Sequence, residues 1–197
     1  MPDQCQGQSG GVTQPDALEY LERLDGLRRS WGRNQPELAT MPPVQFSALQ
    51  YLAQCNHYSD TPAAVTEFLG LTKGTVSQSL KALEKAEFIC KQPDLKDKRS
   101  VHLLVTERGR ALLENNLPPQ FLTDALTDMG ERGTLLVELL DELLRTIQRS
   151  GSGSHFGICK QCHHHQQRDG MPFCGLTQEP LPVEKIELIC REFTENT

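Results

Sequence analysis

Residues 159–174 read CKQCHHHQQRDGMPFC, with three cysteines and three histidines in sixteen positions. Cys190 follows, giving the spacing Cys159-x2-Cys162-x11-Cys174-x15-Cys190. Thiolates are soft ligands, and four of them suit a tetrahedral zinc ion or an iron–sulfur cluster. A Cys-x-x-Cys turn brings two sulfurs to one ion at small loop-closure cost. Cys174 precedes Gly175 in a turn-like setting, and Cys190 ends VEKIELIC, which reads as a short amphipathic helix able to deliver one ligand. Zinc is the first reading. The second Cys-x-x-Cys pair of common zinc ribbons is not present, which keeps the iron–sulfur cluster as the alternative. His163, directly after Cys162, can stand in for a cysteine; otherwise the three histidines read as solvated loop residues. A metal-free thiol redox switch is the remaining reading of these cysteines. A thioredoxin-like enzyme is set aside because this Cys-x-x-Cys opens no helix within a βαβ pattern.

The segment that holds these cysteines is about forty residues long and poor in large apolar side chains. Modules of this size need a metal or a disulfide to fold, and zinc supplies on the order of 10 kcal/mol. It is preceded by SGSGS at 150–154, a flexible joint by composition. The expected organisation is a disordered arm over 1–15, a helical body over 16–149, a linker over 150–154 and a metal-binding module over 155–197. Three further cysteines lie outside the module. Cys55 and Cys90 read as small core residues and Cys5 falls in the arm.

The body must position whatever else does chemistry. Leu18, Leu21, Leu24, Leu27 and Trp31 recur at helical spacing after Asp16, a candidate cap. A second helix spans 44–56, with Phe46, Leu49, Leu52 and Ala53 on one stripe. A third follows Thr61-Pro62 and ends at Gly70. A fourth begins at Thr72 and turns Val76, Leu80 and Leu83 inward. The period then becomes two: 88–92 and 101–105 read as strands around the polar loop PDLKDKRS. Thr106 caps another helix, Pro118-Pro119 interrupts it, and 120–149 is helical and rich in leucine.

The whole chain carries a formal charge of -6, yet residues 72–110 hold nine Lys or Arg against five Asp or Glu, a local +4. One basic face on an acidic body suits contact with a polyanion. Thr72, Lys73, Thr75, Ser77, Gln78 and Lys81 lie on or near the outer face of the fourth helix. Small hydroxyl and amide groups there can reach base edges, and a helix N-terminus favours phosphate. Lys96, Lys98 and Arg99 extend from the hairpin loop, the lysines toward phosphates and Arg99 toward a minor groove. Asp97, an acid among these cations, is expected to hold Arg99 by a charge-assisted hydrogen bond. The fold class is mainly α: a winged helix-turn-helix with a two-stranded β wing, a helical dimerisation region and the small C-terminal module.

DKRSVHLLVTERGRALL resembles the wing and following helix of the MarR family, with Asp97, Arg99, Thr106 and Gly109 in the positions of its pattern. LTKGTVSQSLKALEKAEFI is similar to that family's recognition helix, and the resemblance covers about 16–149. It implies a homodimer on pseudo-palindromic double-stranded DNA, usually a repressor released by a small molecule, metal or oxidant, with Arg99 on DNA and Asp97 orienting it. The residues themselves also suggest a dimer. Leu18, Leu21, Leu24, Leu135, Leu139, Leu140, Leu143, Leu144 and Ile147 exceed what one compact winged helix can cover.

No run approaches the ~20 apolar residues of a membrane span, and the start MPDQCQGQSGGVTQPD lacks the regions of a signal peptide. The expected location is the cytoplasm, where clustered cysteines bind metal or do redox work. No nucleophile–base–orienter signature and no phosphate-binding glycine loop occurs, so an enzyme is not expected. An adaptor whose tail recruits another protein is the competing class.

Overall fold

The computed structural model describes residues 14–94, 100–150 and 156–196. The chain divides into two units, 1–43 and 44–197. In the first, α1 (Gln14–Asn34) begins two residues before Asp16, which lies in its first turn rather than at the cap. Glu19–Arg23 and Asp25–Arg28 pair along its surface, and Leu18, Leu21, Leu24 and Leu27 are exposed. A run of turns follows, with Leu38 buried.

The second unit opens with α2 (Pro43–Gln54), α3 (Pro62–Leu69) and α4 (Lys73–Lys85). Their ends are set by local chemistry. The Thr61 hydroxyl accepts from the Ala64 N–H at 3.3 Å, and Pro62 sits where no intrahelical donor is needed. Gly70 closes α3 in the left-handed region at φ 62°. Thr72 caps α4 by accepting from the Thr75 N–H at 3.3 Å. Val76, Leu80 and Leu83 are buried at i, i+4 and i+7, as are Phe46, Leu49 and Leu52 of α2 and Ala64 and Val65 of α3. Ala53 is exposed and does not belong to the α2 stripe. Ala48 and Tyr51 are buried instead, because a second layer covers that side of α2.

The wing is β1 (Ile89–Pro93) against β2 (Val101–Val105), antiparallel, with Ile89 opposite Val105 and Pro93 opposite Val101. The Asp94 N–H donates to the Ser100 carbonyl at 3.1 Å and closes its base. The Leu103 N–H donates to the Asp60 carbonyl at 2.8 Å, which ties the wing to the α2–α3 turn. Cys90 is exposed, not core, because β1 buries only its first residue, Ile89, and runs out into solvent from there.

Then comes α5 (Glu107–Asn116), capped by Thr106, whose hydroxyl accepts from the Gly109 N–H at 3.1 Å and donates to the Glu87 carbonyl at 2.7 Å. Gly109 is required by space: a Cβ there would lie 2.4 Å from the Phe88 carbonyl oxygen and 2.8 Å from Val105 Cγ1. The stretch 120–149 is two helices, α6 (Gln120–Met129) and α7 (Glu131–Ser150), separated at Gly130 with φ 57°. Leu135, Leu139, Leu140, Leu143, Leu144 and Ile147 are all exposed, from 44% to 57% of their surface. Among the described residues no helix is long and apolar enough to cross a membrane.

The cysteine-bearing segment is built of short strands. β3 (Gly157–Ile158) pairs with β7 (Ile189–Cys190), and β4 (His165–Arg168), β5 (Met171–Cys174) and β6 (Glu179–Pro180) form an antiparallel sheet in that order. The helix expected over 183–190 is absent. A single 3-10 turn spans Val183–Lys185, and Cys190 is carried by a strand. Both edges of that strand are taken, by β3 on one side and by Cys55 and Asn56 on the other, so its backbone groups are satisfied in extended form. Replacing Gly109 by alanine should lower unfolding free energy by about 1–3 kcal/mol, as overpacking against backbone does. A urea titration of the two proteins measures it.

Candidate functional site

On α4 the side chains of Thr72, Lys73, Thr75, Ser77, Gln78 and Lys81 are all exposed, while the opposite face is locked into the core. The Thr72 and Thr75 hydroxyls lie 3.0 Å apart and bond each other, so both are engaged at the helix start. Lys96, Asp97, Lys98 and Arg99 fall outside the described residues.

A histidine the sequence reading passed over stands at the wing base. His102 on β2 reaches Asp60 through Nδ1 at 2.5 Å and Asp94 through Nε2 at 2.9 Å. With a carboxylate on each ring nitrogen, Asp94 and then Asp60 hold the imidazolium form above the usual histidine range. Burial raises the Asp60 carboxyl, and His102 partly offsets it. Nearby His57 is shifted down by burial. The clamp connects the α2–α3 turn to the point where the wing loop begins.

The four tail cysteines are free thiols that line one small cavity together with Asn56, Tyr58, His164 and His165. Cys159 and Cys162 stand on either side of a 3-10 turn in which the Cys162 N–H donates to the Cys159 carbonyl at 3.0 Å. Cys174 ends β5 opposite His165 of β4, and Cys190 ends β7. Burial first, and then Cys190, Cys162 and Cys174, push the Cys159 thiol up to about 12. Cys190 is also raised by burial, against hydrogen bonds to its sulfur from the Asn56 side chain and the Glu192 backbone. The Thr194 N–H donates to the Cys162 sulfur at 3.4 Å. Among the described residues no group of three or more His, Cys, Asp or Glu side chains stands in a geometry that could hold a metal ion. His163 is exposed and outside this cavity; His164 and His165 line it. The buried Nδ1 of His165 has no hydrogen-bond partner among the described residues. The strand register of β4, invisible in a run of three histidines, decides which one turns inward. Cys55 is buried but does not line this cavity; burial pushes it up to about 12, and it donates weakly to the Leu52 carbonyl, as an inert core thiol does. Cys5 falls outside the described residues, as do residues 151–154 of the joint.

Three helices with α4 facing outward, followed by a two-stranded hairpin, define a winged helix-turn-helix protein. Residues 39–100 match the model of the MarR family. In fold it is similar to the FabT of Streptococcus pneumoniae, whose crystal structure is in complex with DNA, at 20% identity over 71% of this chain and 100% of that one, TM-score 0.56. It is similar also to wild-type MarR from E. coli, at 22% identity over 68% of this chain and 99% of that one, TM-score 0.52. A MarR protein from Peptoclostridium difficile shares 15% identity over 75% and 97% of the two chains, TM-score 0.56. No curated protein matches the chain in sequence.

The clamp at His102 gives a signed expectation. Its folded pKa is raised, so its contribution is full below the unfolded value of about 6.5 and is lost as pH rises through the folded value. The raised Asp60 acts in the same direction, whereas the lowered His57 opposes it, costing stability as pH falls. His102→Gln should therefore narrow the gap to the wild type as pH goes from about 5.5 to about 8. Urea midpoints of both proteins across that range check it, and parallel curves would contradict it.

Proposed function

We propose that the chain is a homodimeric, sequence-specific DNA-binding transcriptional regulator of the cytoplasm, acting as a repressor. The observation that carries this is α4. Its apolar face is fixed by Val76, Leu80 and Leu83, while Lys73, Ser77, Gln78 and Lys81 are exposed beside a hairpin whose tip sequence is KDKR. A helix held this firmly can present polar groups to a major groove without reordering on contact. FabT, similar in fold, is seen on DNA. On this reading Arg99 contacts DNA, Asp97 orients it, and Lys96 and Lys98 neutralise phosphates.

Dimerisation is supported by the exposed leucines of α1 and of α7, each an apolar row left open among the described residues. A two-fold assembly would set two α4 helices against half-sites about one DNA turn apart. The tail cysteines are read as a zinc site, and the metal as the effector, in preference to a small molecule or an oxidant. Their shared cavity of about 10 Å³ takes one water-sized sphere, which suits a single ion over a cluster.

Arg99→Ala should weaken binding to a selected duplex and lower the slope of log K against log salt by about one unit, as loss of one phosphate contact does. Fluorescence anisotropy over a salt series measures both, and unchanged values would remove the wing from the interface. Leu139→Glu with Leu143→Glu should give a monomer in analytical ultracentrifugation that no longer binds a two-half-site duplex. A double variant that stays dimeric would move the interface elsewhere.

A further inference from the structure

The tail does not hang beside the winged helix. Ile189, Cys190 and Arg191 each engage the α2–α3 turn. The Ile189 carbonyl takes the Asn56 N–H at 2.9 Å, the Cys190 sulfur takes a hydrogen bond from the Asn56 side chain, and the Arg191 N–H donates to Ser59 Oγ at 2.8 Å. Arg191 also holds Glu67 of α3 with two bonds of 2.6 Å. The same Asn56 organises the turn from within, its Oδ1 accepting from Ser59 Oγ at 2.8 Å and from the Tyr58 N–H at 3.2 Å. With Oδ1 so occupied, the amide nitrogen is the group left to meet sulfur. Tyr58 in turn reaches the segment after Cys174, donating to Glu179 at 2.7 Å and lying 3.0 Å from the Thr177 hydroxyl.

The cavity wall is chemically suited to a thiophilic cation. Four sulfurs border it, N–H groups of Thr194 and Glu192 and the Asn56 amide are aimed at two of them, and His165 brings a buried, unpartnered nitrogen to the same wall. Donors aimed at sulfur stabilise thiolates and orient ligands. Asn56 therefore belongs at once to the surroundings of Cys190 and to the turn that leads into α3 and α4.

We propose that one divalent cation of the zinc class, bound by Cys159, Cys162, Cys174 and Cys190, tightens the α2–α3 turn through Asn56, so that metal loading switches the same chain into its DNA-binding form. This rests on the zinc reading given above. An unloaded site leaves four free thiols around one small cavity, with nothing to tie them to one another. A loaded one fixes Cys190, and with it the three adjoining contacts to the turn. The gain in DNA affinity comes from ordering the helix-turn-helix before contact rather than from any new contact to DNA.

The test uses the full chain, stripped of metal under reducing conditions, and a fluorescent duplex selected from a random pool by the chain as purified. Cobalt titration should saturate at about one ion per chain with sulfur-to-cobalt charge-transfer absorption, and zinc should displace it. Zinc should raise duplex affinity about tenfold in the wild type. Asn56→Ala should bind cobalt more weakly but still show sulfur-to-cobalt charge transfer at saturation, and at saturating zinc its duplex affinity should respond less than about twofold; Tyr58→Phe, a milder change at the same seam, should fall between it and the wild type. A thiolate–cobalt spectrum with affinity unchanged or lowered by zinc would overturn the coupling and leave the metal site standing. A wild type without charge-transfer absorption would overturn the metal site itself, while duplex selection would still judge the regulator. An Asn56→Ala protein that responds to zinc as fully as the wild type would remove Asn56 from the path.

Discussion

Residues 56–59 and residues 189–191 meet backbone to backbone and side chain to backbone, and much of the second unit is arranged around that seam. It gives β7 its second edge, covers the side of α2 that Ala48 and Tyr51 bury, and sets Cys190 facing Asn56. Phe156 completes the cover, lying edge-on to Tyr51 at 5.9 Å and to Phe68 at 5.2 Å. An aromatic cluster of this kind contributes through both buried area and ring geometry. The Tyr51 hydroxyl, deep in it, donates to the Ser59 carbonyl at 2.8 Å, so the turn is held from below as well as from the tail. Burying a polar tip is tolerable only with such a partner.

Two kinds of order coexist in the winged helix. Its apolar face follows local rules of spacing and capping. Its polar framework is nonlocal: Asp60 sits at the end of the α2–α3 turn, offers its carbonyl to Leu103 on β2 and its carboxylate to His102. One residue thereby joins the turn, the wing strand and, through His102, Asp94 at the start of the wing loop. The wing is oriented by this charged knot as much as by the hydrophobic contact of Leu103 and Val105.

What could be read from residue order alone follows the same division. The caps at Thr61, Thr72 and Thr106, the stop at Gly70 and the inward triad of α4 were legible because each depends on neighbours within four residues. The Thr106–Gly109 pattern was legible as a family likeness, and its cause is the narrow gap to the Phe88 carbonyl. The tail was legible in composition only. VEKIELIC has a helical stripe, but edge pairing with segments far away in sequence wins over local propensity. Which histidine turns inward depended on a hairpin register, and the burial of Tyr51 in place of Ala53 depended on a covering layer that no pattern within α2 announces.

The link between Ser59 and Arg191 spans 132 positions. During synthesis the early helices leave the ribosome long before the strand that closes over them. Until it arrives, Asn56 and Tyr51 face water or the wrong partner, and closing so long a loop costs entropy before any contact returns it. Native pairing at this edge is therefore a late event in folding, of the slow, high-contact-order kind. The winged helix is closed over only after the cysteine-bearing segment has been made.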